Sequence, residues 1–471
     1  MDPFSSAVDI ARAIRTKEVS PVEVADLYLD RIEALEPSLN AFSHRADDDV
    51  RIMAKRAAEV VATTPTDDLP PFHGVPVPIK NLNPVAGWPC TYGSNGATRS
   101  PRAESDPIVE RFLAAGFVLL GMTNSPEFGT ISYTESEAHG ITRNPWNTQH
   151  TPGGSSGGAG AAVASGMAPL AHASDGGGSI RIPASCNGLV GLKGSRGRVP
   201  NEFIELEGFV AEGVLTRTVA DTAAAYDVLD AVDPLVFFSA PRPARPYSEL
   251  AAMEAPKLRI AFTTSAPLGL PVDPECVTAV TTTVAALEAQ GHTAFEMTLD
   301  MPELDTFVER FILIWNTGSV WSPVENWEAI EPLNAALRAE ARKVDSLEFA
   351  AAVRTTQRLA RPLIAPFGRD FDVLVTPTMS VQPPKVGTWR EGTDADPTVG
   401  LLNCYPMAVF TSIFNVTGLP ALSLPVHQSD AGLPVGVQIV ASPWREDLLL
   451  QVGTQLEHAL PWKDRHPALS A

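Results

Sequence analysis

Residues 153–200 read GGSSGGAGAAVASGMAPLAHASDGGGSIRIPASCNGLVGLKGSRGRVP, and this stretch decides how the rest of the chain is interpreted. Two glycine clusters, at 153–158 and 175–179, flank a run of small residues of helix length. Ordered glycine is costly in conformational entropy, so dense clusters indicate unusual backbone angles or close approach to a ligand. A Gly/Ser linker is the alternative, but linkers are repetitive and polar, whereas apolar segments alternate with these clusters. The stretch therefore predicts a binding or catalytic site.

The composition limits what that site binds. The chain has 471 residues and is 44% hydrophobic, which is typical of a globular protein. Acidic residues outnumber basic ones 55 to 35, and the formal net charge of −20 argues against nucleic acid and anionic membranes as partners. An uncharged or cationic small molecule fits this charge better.

Cysteine usage and the N-terminus predict the compartment. The cysteines, which are scattered without metal-ligand spacing or a disulfide framework, are Cys90, Cys186, Cys276 and Cys404. The opening MDPFSSAVDIARAI lacks the basic start and unbroken apolar core of a signal peptide, and no later segment is long and apolar enough to cross a bilayer. We expect a cytoplasmic protein with no membrane association.

Helix and strand patterns alternate along most of the chain. A capping box at residues 20–23 starts one helix, and Thr218 with Asp221 starts another. A helix pattern over 106–116 leads directly into an apolar strand pattern from Phe117. This alternation predicts an α/β protein.

Aromatic residues are concentrated in the segment 305–330, within a mainly helical region of about 300–370. They are Phe307, Phe311, Trp315, Trp321 and Trp327. Packing in the core is the commoner role for such residues, but the segment could also line an apolar pocket, together with the region near Cys404 and Tyr405.

Two features of the sequence predict nucleophilic chemistry. The run FHGVPVPIK, residues 72–80, is a short apolar segment with prolines that suit an edge or irregular strand, and it ends on Lys80. Ser179 follows three glycines that lead into a possible helix start, which would direct successive backbone N–H groups at one point, as in an oxyanion hole. A lysine after a strand is most often a surface residue, so Lys80 alone would not indicate a base.

The sequence fits the motifs of phosphate-binding loops and of other serine hydrolases less well. A phosphate-binding loop would end in GK[ST], which is absent. Residues 154–158 satisfy GxSxG with Ser156 at the centre, but a nucleophile elbow needs a strand directly before it, and the turn-like NTQHTPGG precedes this serine. No histidine stands in a recognisable catalytic setting, and the SxxK signature is also absent.

Taken together, these motifs resemble the amidase signature family of Ser-cisSer-Lys amide hydrolases. The stretch 153–200 is preceded by GVPVPIK, GMTNSPEFG and Asn144-Pro145 and followed by NVTGLPALSLPV and GLPVGVQIV, so the resemblance covers essentially the whole chain. It implies a single domain over residues 1–471, with a signature core at about 70–200 and a pocket-lining region at about 300–370. The implied fold is a central mixed, mostly parallel, twisted β-sheet covered on both faces by α-helices.

The resemblance also implies the chemistry. Ser179 would be the nucleophile, Ser155 the bridging serine after a cis peptide bond, and Lys80 a base that burial keeps neutral near pH 7. The enzyme would hydrolyse a carboxylic amide to carboxylate and ammonia or amine through an acyl-enzyme, with no metal and no cofactor. Residues with supporting roles would be Gly176, Gly177, Gly178 and Ser156 at the oxyanion or substrate, Asp175 and Arg181 as a brace for the loop, and His172 and Cys186 as structural residues.

Three departures from the family pattern are visible. Asn81 stands where an acid commonly follows the lysine, Met122 replaces the lysine of GKTN, and Gly194 replaces the proline of GLKPS. None of them removes a member of the relay. We expect Met122 to serve packing only, whereas Asn81 could alter the orientation or charge of Lys80.

Two alternative functions remain open at this point. Similar sequences form amidotransferase subunits that hydrolyse glutamine within a complex and need protein partners and a tRNA, which the acidity of this chain disfavours. A non-catalytic small-molecule binding protein of the same fold is the other. The sequence does not distinguish aliphatic, aryl, peptide and cyclic amides as substrates, and a homodimer is expected from family analogy alone.

Overall fold

The structure is a computed structural model that describes residues 1–201, 203–299, 301 and 303–470. Its α-helices are α1 (Ala7–Arg15), α2 (Pro21–Leu39), α3 (Asp47–Thr63), α4 (Pro107–Ala114), α5 (Gly157–Ala164), α6 (Arg181–Asn187), α7 (Val219–Leu229), α8 (Tyr247–Ala251), α9 (Pro274–Ala289), α10 (Leu304–Trp315), α11 (Pro332–Ala341), α12 (Ser346–Ile364), α13 (Val399–Leu402), α14 (Tyr405–Ala408), α15 (Ser412–Thr417) and α16 (Glu446–Ala459).

The strands are β1 (Phe42–His44), β2 (Pro76–Lys80), β3 (Val118–Thr123), β4 (Glu135–Ser136), β5 (Gly140–Ile141), β6 (Leu170–Asp175), β7 (Val190–Lys193), β8 (Ala211–Thr216), β9 (Arg259–Phe262), β10 (Thr293–Glu296), β11 (Val373–Pro377), β12 (Ala421–Gln428) and β13 (Pro434–Ala441).

Local sequence signals fix several of these elements. The predicted capping box forms at the start of α2, where the side chains of Ser20 and Glu23 each accept a hydrogen bond from the other residue's backbone N–H. Thr218 caps α7 by accepting a hydrogen bond from the Asp221 N–H at 3.1 Å. The helix–strand succession α4–β3 lies where the sequence predicts it.

Two sheets position the glycine-rich stretch. An eight-stranded sheet has the order β10-β9-β11-β13-β12-β7-β8-β6, and a three-stranded sheet has the order β1-β3-β2. Helices α6, α7, α9 and α16 pack on the larger sheet. The predicted α/β architecture with a large mixed sheet and flanking helices is therefore confirmed.

Parallel pairing is found at one end of the large sheet, where β10, β9 and β11 are parallel neighbours. The pairs across the rest of that sheet, from β11–β13 to β8–β6, are antiparallel, so the expectation of mostly parallel pairing applies to that one end. The reason is topological: β8 lies between β6 and β7, so the strands that α6 connects are not neighbours, and β12 and β13 form a hairpin.

The core runs through both sheets. One cluster of buried apolar side chains extends from Ala7 on α1 to Trp462 after α16, and it includes Val77 and Ile79 of β2. Among the described residues, no helix combines the length and apolar character that crossing a bilayer requires.

We predict that Thr218→Ala destabilises the protein by about 1 kcal/mol, because it removes the side-chain oxygen that satisfies a free N–H at the start of α7. The measurement is the midpoint of urea unfolding. Ser100→Ala, at an exposed serine in a loop, is the control and should shift the free energy of unfolding by less than about 0.5 kcal/mol. Equal midpoints for the two variants would contradict the cap.

Candidate active site

Strand β2 brings Lys80 into the interior. All five residues of this strand are buried, and it forms one edge of the three-stranded sheet, as the sequence predicts for this segment. The Lys80 N–H donates to Nδ1 of His172 on β6 at 3.3 Å, which links the small sheet to the large one. The side chain of Lys80 has no exposed surface.

The Lys80 amine has three close oxygen neighbours. Nζ lies 2.8 Å from Oγ of Ser155, 3.1 Å from Oγ of Ser174 and 3.2 Å from the Ser174 carbonyl oxygen. A neutral amine has two N–H donors and one lone pair. With both N–H groups donating to Ser174, the lone pair would face the hydroxyl of Ser155.

Burial changes the charge of this amine. Removal from water lowers the pKa of Lys80 from 10.5 to about 8, although the nearby carboxyl groups of Glu212, Asp175 and Glu205 oppose the shift. A substantial fraction of the side chain is therefore neutral near physiological pH, as a base requires.

A buried polar network contacts the backbone N–H of Lys80. His172, which the sequence analysis assigns a structural role, has Nε2 2.8 Å from Oε2 of Glu212, and the other oxygen of Glu212 accepts from Asn83 Nδ2 at 3.2 Å. Because His172 Nδ1 accepts the Lys80 N–H, Nε2 carries the proton that Glu212 accepts. The network fixes the backbone at the reactive lysine.

Asn81 is directed away from the amine. Its side chain donates to Thr91 Oγ1 at 2.9 Å and accepts from the Thr91 N–H at 3.0 Å. This departure from the family pattern therefore holds a neighbouring loop and makes no direct hydrogen bond to Lys80 Nζ.

The first glycine cluster places Ser155 against the lysine. The Gly154–Ser155 peptide bond is cis, as the resemblance implies. A Cβ at Gly154 would lie 2.7 Å from the backbone of Ser132 and Tyr133, so only glycine fits there. Ser156, the centre of the GxSxG match, donates through Oγ to the Ser174 carbonyl at 3.2 Å and supports the same site.

Asp175 organises the second cluster. Its carboxylate accepts hydrogen bonds from the Gly178 N–H at 2.7 Å and the Ile180 N–H at 3.2 Å. Arg181 donates to the same carboxylate through Nε and Nη2, both at 2.9 Å. Burial alone would raise the pKa of Asp175, but the Arg181 guanidinium holds it below its usual range. The side-chain brace expected from the sequence is thus present as a buried ion pair.

Residues from the C-terminal part of the chain complete this brace. Arg181 also donates to Oε1 of Gln438 and Oδ1 of Asn415, at 2.7 and 2.6 Å. Thr411 donates to the Gly177 carbonyl at 2.7 Å. Thr411 had no local sequence signal, whereas Asn415 and Gln438 stand in the segments NVTGLPALSLPV and GLPVGVQIV. The sequence could not show the contacts of these three residues, because each lies more than two hundred positions from its partner.

The three glycines before Ser179 differ in their availability to a ligand. The Gly178 N–H is occupied by Asp175, and at φ +135° a Cβ there would collide with Thr411 and Ile182. The N–H groups of Gly176, Gly177 and Ser179 have no acceptor among the described residues. The N–H groups available to a ligand are therefore those of Gly176, Gly177 and Ser179, with Ser179 in place of the predicted Gly178.

Ser179 separates two compartments. The larger has an empty volume of about 780 Å³ and is mainly apolar. One face of α10 lines it through Leu304, Phe307, Val308, Phe311 and Trp315, at the spacing of successive helical turns. Cys404 and Tyr405 also line it, so both regions that the sequence analysis names as possible pocket walls meet at this compartment.

The other aromatic residues of the segment differ in position. Trp327 stacks beneath the guanidinium of Arg338 at 3.6 Å and lies outside the lining of the apolar compartment. The side chain of Trp321 lies outside the described part of the chain.

The smaller compartment, with an empty volume of about 520 Å³, has a mixed lining that is more polar than that of the larger one, and we name it the polar compartment. Ser155, Ser174, Ser179 and Gly176 line it together with the carboxyl-bearing residue Glu205. Sequence reasoning did not identify Glu205, because no motif surrounds it. Ser155 and Ser179 therefore meet at this compartment, and Lys80 lies next to it through its contacts with Ser155 and Ser174.

The remaining departures have structural explanations. Met122 is fully buried in the core on β3, which confirms its packing role. The Gly194 N–H donates to the hydroxyl of Tyr226 at 3.1 Å, a bond that a proline at this position could not make.

Among the described residues there is no cluster of His, Cys, Asp and Glu side chains able to hold a metal ion.

The comparison with known proteins agrees with this geometry. An amidase family model matches residues 23–450. The chain is 37% identical to a 6-aminohexanoate-cyclic-dimer hydrolase of Pseudomonas sp. (strain NK87), over 100% of its own length and 97% of the relative's. The chain belongs to the amidase family. The enzyme of the same description from Paenarthrobacter ureafaciens matches this amidase with the same identity and coverage.

Solved structures extend the likeness to the whole amidase fold. A structure of 6-aminohexanoate cyclic dimer hydrolase complexed with substrate matches with a TM-score of 0.90 and 34% identity, covering 100% of both chains. A bacterial aryl acylamidase of the amidase signature family matches with a TM-score of 0.87 and 27% identity, over 98% of this chain and 97% of that one. This amidase is therefore a hydrolase that acts on linear or cyclic amide C–N bonds.

We predict that Arg181→Met destabilises the amidase by about 3–5 kcal/mol, because it leaves the carboxylate of Asp175 buried without its cation. The double variant Asp175→Asn/Arg181→Met should recover part of that loss. Thermal unfolding of each variant is the measurement.

Arg358→Met, which breaks an exposed ion pair with Glu303, is the control and should leave the unfolding midpoint unchanged. A single Arg181→Met variant as stable as this control would contradict the role of the buried pair.

Proposed function

We propose that this amidase hydrolyses its substrate through an acyl-enzyme on Ser179, with Ser155 and Lys80 as the proton relay. The observation that carries the proposal is the 2.8 Å contact of a fully buried lysine amine with the hydroxyl oxygen of Ser155. A lysine in this setting is a base, because its lowered pKa makes the neutral form available.

Acylation begins when Oγ of Ser179 bonds to the amide carbonyl carbon. The proton of Ser179 passes to Ser155 Oγ while the proton of Ser155 passes to Lys80 Nζ. The carbonyl electrons move onto oxygen, and the N–H groups of Gly176, Gly177 and Ser179 are the proposed donors to that oxyanion.

Breakdown of this intermediate reverses the proton flow. The C–N bond breaks, and Lys80 returns a proton through Ser155 to the departing nitrogen. Water then attacks the acyl carbon and gives a proton to the same relay. The bond from the acyl carbon to Oγ of Ser179 breaks, the relay returns the proton to Oγ, and the carboxylic acid leaves and ionises.

The two compartments divide the substrate between them. Ser155 must reach the leaving nitrogen to protonate it, and Ser155 lines the polar compartment. The leaving group therefore occupies that compartment, and the acyl group occupies the apolar one beyond Ser179. The absence of charged side chains from the described lining of the apolar compartment favours a neutral, apolar acyl group.

The descriptions of the relatives narrow the range of candidate substrates. Two of them are described as hydrolases of the cyclic dimer of 6-aminohexanoate, and a structural neighbour is an aryl acylamidase. We infer that small neutral cyclic or linear amides are substrates of this amidase as well. A homodimer and a cytoplasmic location stay predictions.

We predict that a fluorophosphonate probe labels Ser179 and that Lys80→Met slows labelling by at least about 100-fold, since a positioned base contributes about 10²–10⁴-fold. Mass spectrometry of the labelled peptide identifies the serine. Ser179→Ala should abolish labelling at this peptide, and Ser100→Ala should label at the wild-type rate.

The labelling also decides between functions. A wild-type protein that no probe labels would support the non-catalytic binding protein. Release of ammonia from glutamine only after partner subunits are added would support the amidotransferase.

We predict that kcat/KM for a primary amide rises about tenfold per pH unit up to about pH 8 and then levels off. Below that pH the Lys80 amine is protonated and cannot accept a proton, because its pKa lies at about 8. A pH–rate profile from 6 to 10 tests this, and a flat profile would exclude Lys80 as the base.

A further inference from the structure

We propose that Glu205 recognises the leaving group of the substrate and selects amides whose amine portion carries a second, cationic amino group. The inference rests on the proposed function, because it assigns the polar compartment to the leaving group. It adds a specificity residue that the relay itself does not require.

Glu205 is placed where the departing amine must lie. It lines the compartment that Ser155, Ser174 and Ser179 also line. Among the described residues lining the two compartments, it is the one carboxylic acid, and no lysine, arginine or histidine lines either of them. A group bound beside Ser155 on the leaving-group side therefore meets this carboxyl.

The carboxyl of Glu205 is free to bind a ligand. Among the described residues, no donor is hydrogen-bonded to it, and its accessible surface lies at a compartment that protein surrounds. The neighbouring carboxyl groups are already engaged: Glu212 with His172 and Asn83, and Asp106 with the Ile108 N–H. Only Glu205 has its acceptor capacity available to a substrate.

The local charge favours a cation. Glu212 on β8 and Asp106 before α4 raise the pKa of Glu205 to about 7, a shift to which burial contributes most and which Lys80 opposes. Lys80 becomes neutral above about pH 8, so the acids are then the dominant charges at this end of the site. An ammonium group would relieve this repulsion by pairing with Glu205.

The matching substrate class has an amine portion of the diamine type. Its scissile nitrogen lies at Ser155, and its second amino group lies a few bonds further on, at Glu205. The acyl portion stays apolar, as the other compartment requires.

The test uses three amides with one shared aromatic acyl group: the primary amide, the N-butyl amide and the N-(3-aminopropyl) amide. The last two have leaving groups of equal length and differ in a terminal methyl or ammonium group. At pH 8.5 we expect kcat/KM of the wild-type amidase for the aminopropyl amide to exceed that for the butyl amide at least tenfold.

Glu205→Gln should bring this ratio close to one while leaving kcat/KM for the primary amide within twofold, and Glu205→Asp should restore part of the ratio. Glu207→Gln is the matched control, because Glu207 lies on the same 3₁₀ turn but outside both compartments. This control should keep the wild-type ratio.

The pH dependence separates recognition from a structural role. In the wild type the ratio should fall as the pH decreases from 8.5 to 6, because protonation of Glu205 removes the charge that attracts the ammonium. The other charged groups that act on Glu205 are Glu212, Asp106 and Lys80, and any pH dependence of the ratio that persists in Glu205→Gln measures their contribution. A ratio independent of pH would overturn the inference.

Two further outcomes would also overturn it. An equal loss for all three amides in Glu205→Gln would assign Glu205 to the shared chemistry, and an unchanged ratio would exclude contact with the leaving group. Fluorophosphonate labelling of Ser179 in each variant distinguishes these failures from failure of the proposed function, in which the wild type itself is not labelled.

Discussion

A primary amine kept away from water beside a hydroxyl group is the constraint on which the rest of this structure depends. Lys80 reaches that position because β2 is buried on all sides and ends against β6. Ser174 supplies two oxygen neighbours of the amine, and Oγ of Ser155 is the third, at 2.8 Å. The loss of hydration lowers the pKa of Lys80 to about 8, which makes the neutral form accessible.

The second constraint is the carboxylate of Asp175. It accepts hydrogen bonds from backbone N–H groups of the glycine loop and from the guanidinium of Arg181. Asn415 and Gln438 then tie this pair to α15 and to β13, a central strand of the large sheet. A loop rich in glycine is thus held by side chains, although its own sequence offers almost none.

The sequence made the catalytic candidates recognisable because their signals are local. The glycine clusters around Ser155 and Ser179 and the apolar run before Lys80 are continuous stretches, and their resemblance to a known family adds the roles. Glu205 and Thr411 could not be found in that way, since tertiary contacts alone bring them to the site. Ser174 and Asn415 lie inside the quoted stretches, but only the folded structure shows their partners. The antiparallel pairing in most of the large sheet could not be predicted from the alternation of helices and strands, because β8 inserts between β6 and β7.

The reactive amine and the hydroxyl groups belong to different sheets. Lys80 is carried by the three-stranded sheet, whereas Ser174 lies on β6 of the eight-stranded sheet and Ser155 and Ser179 flank that strand in sequence. Neither sheet holds a complete set of reacting groups. Recombination that exchanged one of them alone would have to preserve the 2.8 Å contact between Lys80 and Ser155 across the junction, so we expect the two sheets to be exchangeable only together.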